Sequence, residues 1–106
     1  MIIRRWSAMA TSEGARAYEE HFRASVAPTL AGIAGYRGAY LLRRQVGDLV
    51  EITVLGRWDS LDAVRGFAGE DTSRAVVEPR AAEVLESYDA EVTHHEVVFA
   101  ADSRQL

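Results

Sequence analysis

Residues 36–46 and 49–58 form two long alternating segments separated only by Gly47-Asp48. A two-residue connection of this kind closes a β-hairpin, because glycine tolerates the positive φ that tight hairpin turns require. This hairpin constrains the fold most, since both of its faces carry apolar residues. In the second strand Val50, Ile52, Val54 and Trp58 fall on one side, while Leu49, Thr53 and Leu55 fall on the other. In the first strand Ala39 and Leu41 alternate with Tyr40 and Leu42. A sheet with two apolar faces needs cover on both.

The remaining elements follow from periodicity and caps. Residues 2–9 alternate as a strand. Thr11 or Ser12 caps a helix whose buried stripe is Ala15, Tyr18, Phe22 and Val26. Arg16 with Glu20, and Glu19 with Arg23, are spaced for ion pairs on its wet face. Pro28 is expected to end or kink this helix, with Gly32 and Gly35 closing the segment. Asp59 or Ser60 caps a second helix that turns Leu61, Val64, Phe67 and Ala68 inward and stops at Gly69. Pro79 starts a further helical stretch over residues 79–88, and residues 92–99 form the last strand. The tail 100–106 is expected to fray.

The order β-α-β-β-α-β is the ferredoxin-like split β-α-β arrangement, an α+β fold with an antiparallel sheet and helices on one face. The helices of one chain cover one face only. A second copy laid sheet to sheet covers the other, so a homodimer is expected.

Composition bounds the chemistry. The 106 residues suit a single domain spanning the whole chain, with 48% hydrophobic and 26% charged residues. Apolar runs are too short to span a membrane. The charged Met-Ile-Ile-Arg-Arg-Trp start does not read as a signal peptide, so a cytoplasmic location is expected. There is no Cys and no Lys, which removes thiolate, disulfide, Schiff-base and Walker-lysine chemistry. A net charge of −4 argues against nucleic acid as a partner. Gly32, Gly35 and Gly38 follow a helix rather than a strand, which is the wrong context for a dinucleotide loop.

The stretch 57–79, Arg-Trp-Asp-Ser-Leu-Asp-Ala-Val-Arg-Gly-Phe-Ala-Gly-Glu-Asp-Thr-Ser-Arg-Ala-Val-Val-Glu-Pro, together with Val-Thr-His-His-Glu-Val at 92–97, resembles the antibiotic biosynthesis monooxygenase family. His95 stands where that pattern usually has Tyr, and the likeness extends upstream through Pro28, Gly35-Tyr-Arg-Gly38 and Leu41-Leu-Arg-Arg44. The resemblance implies a dimeric α+β barrel and a cofactor-independent monooxygenase acting on a hydrophobic phenolic or polyketide-like molecule. The same barrel also hosts isomerases, cyclases and non-catalytic binding or stress-response proteins. Haem-degrading relatives use an Asn, a Trp and a ligating His. This chain has no Asn, and residues 72–77 read Thr-Ser-Arg-Ala-Val-Val where that His belongs. The quinone-forming relatives place Asn, Trp and Tyr around the third strand; Trp58 matches, while Val54 and Val64 stand at the other two positions.

Trp6, Tyr40, Trp58 and His94 fall on even-numbered strand positions, and Tyr18 and His21 on the first helix. His94 is the expected general base, its imidazole titrating in the range that suits proton transfer. Trp6, Trp58 and Tyr40 are expected as pocket walls, with Tyr18 and His21 contributed by the first helix. His21 borders the wet face of that helix, and Trp58 also suits a large core residue. Adjacent His94 and His95 point to opposite sides of a strand and cannot share an ion, and His94, Glu96 and His21 form a set that arises readily by chance. No metal and no cofactor are expected.

Overall fold

In the computed structural model, which describes residues 1–101, the hairpin forms β2 (Tyr36–Val46) and β3 (Leu49–Trp58). Gly47 carries a φ of 61° in the connecting turn. The first strand, β1 (Ile2–Ala10), runs antiparallel along the other edge of β3, with Ile2 opposite Trp58 and Ala10 opposite Val50. Thr11 caps α1 (Ser12–His21) by accepting the Gly14 N–H at 3.0 Å, and Ser60 caps α3 (Leu61–Ala68) by accepting from Ala63 at 3.1 Å. Both hydroxyls meet backbone donors that a helix start leaves unpaired.

Pro28 does not end the first helical segment. A π-helical turn over Phe22–Val26 precedes it, and Pro28 falls in the first turn of α2 (Ala27–Ala31). The first turn is the place where a missing N–H costs no helical bond, and the wider π turn relieves the ring's clash with the preceding backbone. The expected pairs on α1 are replaced by a contact across elements: Glu19 meets Arg43 of β2 at 3.4 Å. On α3 Val64 is buried, whereas Leu61 is exposed rather than turned inward.

The C-terminal part differs most from the sequence expectation. The helix begun at Pro79 is α4 (Pro79–Val84) and stops short of Tyr88. Glu86 N–H donates to the Met9 carbonyl at 2.8 Å, and Ser87–Tyr88 becomes a two-residue strand, β4, against β1. The open edge of β1 offers these residues stronger pairing than another helical turn would. The final strand, β5 (Thr93–Glu96), also pairs with β1, so β4 and β5 lie end to end along one edge. Between them the chain bows outward to bond the segment after α3, through Ala75 N–H to Ala90 O at 2.9 Å and Val92 N–H to Ser73 O at 2.8 Å. Val98 and Phe99 lie beyond β5 and are 88% and 82% exposed. Of the tail expected to fray, residues 102–106 lie outside the described residues.

A β-bulge sets which side chains face the helices. Tyr36 opposes Trp58 and Gly38 opposes Arg57, so β2 carries one extra residue at this point. Gly38 has a φ of 121°, and a Cβ there would lie 2.7 Å from Arg57 Nη2. Past the bulge the parity reverses: Ala39 and Leu41 join the helix face, and Tyr40 and Leu42 join the open face. That open face is mixed rather than uniformly apolar. Leu42, Val46 and Tyr40 are exposed beside a 2.9 Å Ser7–Thr53 hydrogen bond and a 2.7 Å Arg44–Glu51 ion pair. No helix among the described residues is long and apolar enough to cross a membrane.

Candidate functional site

Two clusters of buried side chains cover the helix face of the sheet. One gathers Trp6, Tyr18, Phe22, Ile52, Ala81 and Val92, and the other Leu30, Trp58 and Val64. They do not merge, because the floor between them is built from small residues. Ala39 on β2 lies opposite Gly56 on β3, and Gly56 in turn faces Arg4 on β1. Gly56 also admits the Trp58 indole, whose Nε1 would lie only 3.0 Å from a Cβ at that position. A cavity of about 100 Å³ remains above this floor. Trp58, with Tyr36 edge-on at 5.1 Å and Phe67 stacked at 5.9 Å, walls one end. Trp6 and Tyr18, 5.7 Å apart, wall the other. Exposed Thr29, Val76 and Glu78 rim the cavity and mark its mouth.

His21 lines this cavity and is buried, contrary to its expected place at the edge of the wet face. A stripe drawn at constant period from Ala15 to Val26 puts it on that border. The period is interrupted by the π turn that begins at Phe22, and within α1 His21 stands three residues from Tyr18, on the side that turns Tyr18, His21 and Phe22 inward. His21 Nε2 is buried without a hydrogen-bond partner among the described residues. The closest charged group is the Glu78 carboxylate, Oε2 lying 3.9 Å away, with side-chain exposures of 6% for His21 and 47% for Glu78. Burial first, and then the Glu78 charge, push the Tyr18 phenol well above its ordinary pKa, so it stays protonated.

His94 occupies the helix face, as its parity predicts, opposite Arg4 in the β1–β5 register. It does not line the cavity. Its Nε2 lies 3.0 Å from Arg4 Nη1, and because a guanidinium only donates, Nε2 is the acceptor and the neutral ring carries its proton on Nδ1. Burial, then the neighbouring charges of Arg4 and His95, lower its pKa below the usual imidazole value. Arg4 is the centre of this arrangement and was not singled out in the sequence. Its Nη1 also donates to Thr72 O at 2.6 Å, its Nη2 donates to Arg74 O at 2.8 Å, and its guanidinium carbon stands 5.7 Å from the Phe67 ring centre. The fork ties the segment after α3 to the sheet and so holds the wall that carries Val76, Val77 and Glu78. The signal for Arg4 was a charged residue on the inward face of a strand otherwise lined by Trp6, Ala8 and Ala10. Glu78, outside any periodic pattern, gave none.

Trp6, Trp58 and Tyr18 line the cavity. Trp58 is also one of the most buried residues, 1% exposed. Tyr40 does not line it. The bulge turns its ring to the open sheet face, 56% exposed, with the Arg57 guanidinium 5.6 Å from the ring centre. Among the described residues, no three of His, Asp, Glu or Cys cluster in a way that would hold a metal ion.

Sheet, helices and cavity define a ferredoxin-like α+β domain with an apolar aromatic chamber between its layers. The chain belongs to the antibiotic biosynthesis monooxygenase family, whose model matches residues 1–79. Among solved structures it is similar to a variant of MhuD with two manganese protoporphyrin IX molecules bound per active site, at a TM-score of 0.70 and 19% identity over 97% of this chain and 100% of that one. It is similar to the haem-degrader MhuD of Mycobacterium tuberculosis with two haems bound, at a TM-score of 0.61 and 21% identity over 96% and 100% of the two chains. It also resembles a Bacillus cereus protein named as an antibiotic biosynthesis monooxygenase, at a TM-score of 0.68 and 18% identity over 97% and 98%. At these identities the likeness speaks to the fold. No curated protein sequence matches the chain.

Proposed function

We propose that this protein is a monooxygenase that binds a hydrophobic hydroxylated aromatic molecule in the helix–sheet cavity and needs no cofactor to oxidise it. The observation that carries this reading is the buried, unpartnered Nε2 of His21 at the edge of a chamber walled by Trp6, Trp58 and Phe67. An unpaired polar atom in an apolar chamber is costly unless water or a ligand satisfies it, and a hydroxylated ligand can take that place. Family membership supplies the reaction class.

In this reaction a base removes the phenolic proton, and the phenolate passes an electron to dioxygen. Recombination forms a C–O bond at the ring carbon para to the hydroxyl, and loss of water from the resulting peroxide leaves a quinone. The substrate gives up four electrons, one oxygen atom stays on carbon, and the other leaves in water with the hydroxyl and ring hydrogens. The chain's part is to exclude water, orient the ring and hold the proton. His21 is better placed for that proton than His94, whose lone pair is taken by Arg4. His94 then acts as a positioning residue, fixing the Arg4 fork behind the cavity wall.

A porphyrin does not fit this chamber. Residues 72–77 carry no imidazole, and about 100 Å³ is far below the volume of a tetrapyrrole site. Two copies packed through their open sheet faces, around Tyr40 and Leu42, complete the molecule as a homodimer. A ligand-binding barrel without turnover is the second reading, favoured by the small size of the cavity. Turnover of a panel of one-ring and fused-ring phenols in air and under nitrogen separates the two. Product formation that requires oxygen is expected, and binding with no oxygen uptake for any phenol overturns the enzymatic reading.

A further inference from the structure

The two histidines on the helix side differ in one respect: His94 has its acceptor nitrogen occupied, and His21 does not. Glu78 Oε2, 3.9 Å from His21 Nε2, is too distant to occupy that nitrogen by a hydrogen bond and near enough to pair with an imidazolium once a proton has been transferred to it. The carboxylate is at the mouth, half exposed and preceding Pro79, while the imidazole is inside. A phenol hydroxyl carries one hydrogen, and donating it to Nε2 across about 2.8 Å leaves the carboxylate, which only accepts, to act on the imidazole through its charge. Such a hydroxyl approaches Nε2 from the cavity, with its ring directed toward Trp6, Trp58 and Phe67.

The cavity also limits the ring system. Its volume of about 100 Å³ is on the scale of a single aromatic ring. A dry apolar cavity of roughly 150 Å³ takes up benzene in another protein, whereas sites for larger ligands begin at roughly 300 Å³. The floor that sets this limit, Ala39, Gly56 and Val54, is strand backbone and short side chains, so it does not deepen by a rotamer change.

We propose that His21 and Glu78 form the proton-accepting pair of this site and that its substrate is a monocyclic phenol rather than a fused polycyclic one. The phenol donates its hydrogen to His21 Nε2, and the Glu78 carboxylate stabilises the imidazolium that forms when the proton transfers. This rests on the reading of the cavity as a phenol-oxidising site, but the test needs no turnover.

The probe is 4-nitrophenol, whose phenolate is yellow, titrated into the full chain under nitrogen with nitrobenzene and 4-nitro-1-naphthol alongside. Bound 4-nitrophenol is expected to show phenolate colour at a pH where the free compound is mostly colourless, and to bind about tenfold more tightly than nitrobenzene, the scale of a hydrogen bond to a charged group. His21→Phe should abolish both the preference and the colour while leaving nitrobenzene affinity unchanged. His21→Gln, which keeps a polar side chain, should lose the colour alone. Glu78→Gln, at the exposed mouth, should bind 4-nitrophenol nearly as well yet leave it colourless. Equal affinity for nitrobenzene and 4-nitrophenol, colour that survives the His21 and Glu78 substitutions, or 4-nitro-1-naphthol binding as tightly as 4-nitrophenol would each overturn the proposal. Phenolate colour without oxygen uptake by any phenol would leave this pair standing and sink the monooxygenase reading. Oxygen uptake in a protein whose colour ignores both residues would do the opposite.

Discussion

His94 and His21 carry the same ring into different surroundings: Nε2 of the first receives a guanidinium hydrogen across 3.0 Å, and Nε2 of the second has no hydrogen-bond partner among the described residues. The Arg4 contact makes a prediction about stability. Burial and the Arg4 charge lower the folded-state pKa of His94, so the unfolded chain binds its proton more readily than the folded one does. The stabilisation tied to neutral His94 is therefore fully present above the ordinary imidazole value of about 6.5 and is lost as pH falls through the lower folded value. His94→Gln keeps an acceptor for Arg4 but does not titrate. Urea midpoints should fall more steeply for the wild type than for this variant between about pH 7 and pH 5, above most of the carboxylate range. Parallel curves for the two proteins would show that His94 is not the titrating group.

The open face of β2 and β3 carries the prediction at the scale of elements. Leu42 and Tyr40 stand exposed on a face with no helix above it, next to Leu55 and Thr53 in the adjoining strand. Light scattering at micromolar concentration should give a mass twice the 11.7 kDa of one chain, and Leu42→Arg should halve it without unfolding the protein. A wild-type mass of one chain would remove the sheet-to-sheet dimer. Most elements were legible in the sequence, because hairpin turn chemistry, strand alternation and the caps at Thr11 and Ser60 are local signals. Tyr40 was misplaced because an extra residue between Tyr36 and Gly38 reverses the parity of everything after it. His21 was undervalued because a 3.6-residue period does not carry through a π turn. The C-terminal strands were misjudged because the free edge of β1, a feature of the assembled sheet, drew in Ser87 and Tyr88. Trp6, Trp58 and His94 fell on the helix face because β1, β3 and β5 keep an unbroken register through them.

On the scale of the whole molecule, one sheet face carries the cavity and the other has no helix above it, so a ligand in the cavity and a second copy on the open face would not compete for surface. The chamber exists because Ala39 and Gly56 leave the two core clusters apart, and among the described residues that line it the buried side-chain polar atom without a partner is the His21 imidazole nitrogen. What such a site does with dioxygen is decided by where the oxygen atoms go. Turnover of a monocyclic phenol under oxygen-18 gas, with the product reduced at once to the hydroquinone so that carbonyl exchange does not erase the label, should give one oxygen-18 atom per product molecule, and His21→Phe should abolish its formation. Product oxygen drawn entirely from water, or the same labelled yield from the His21 variant, would contradict the account.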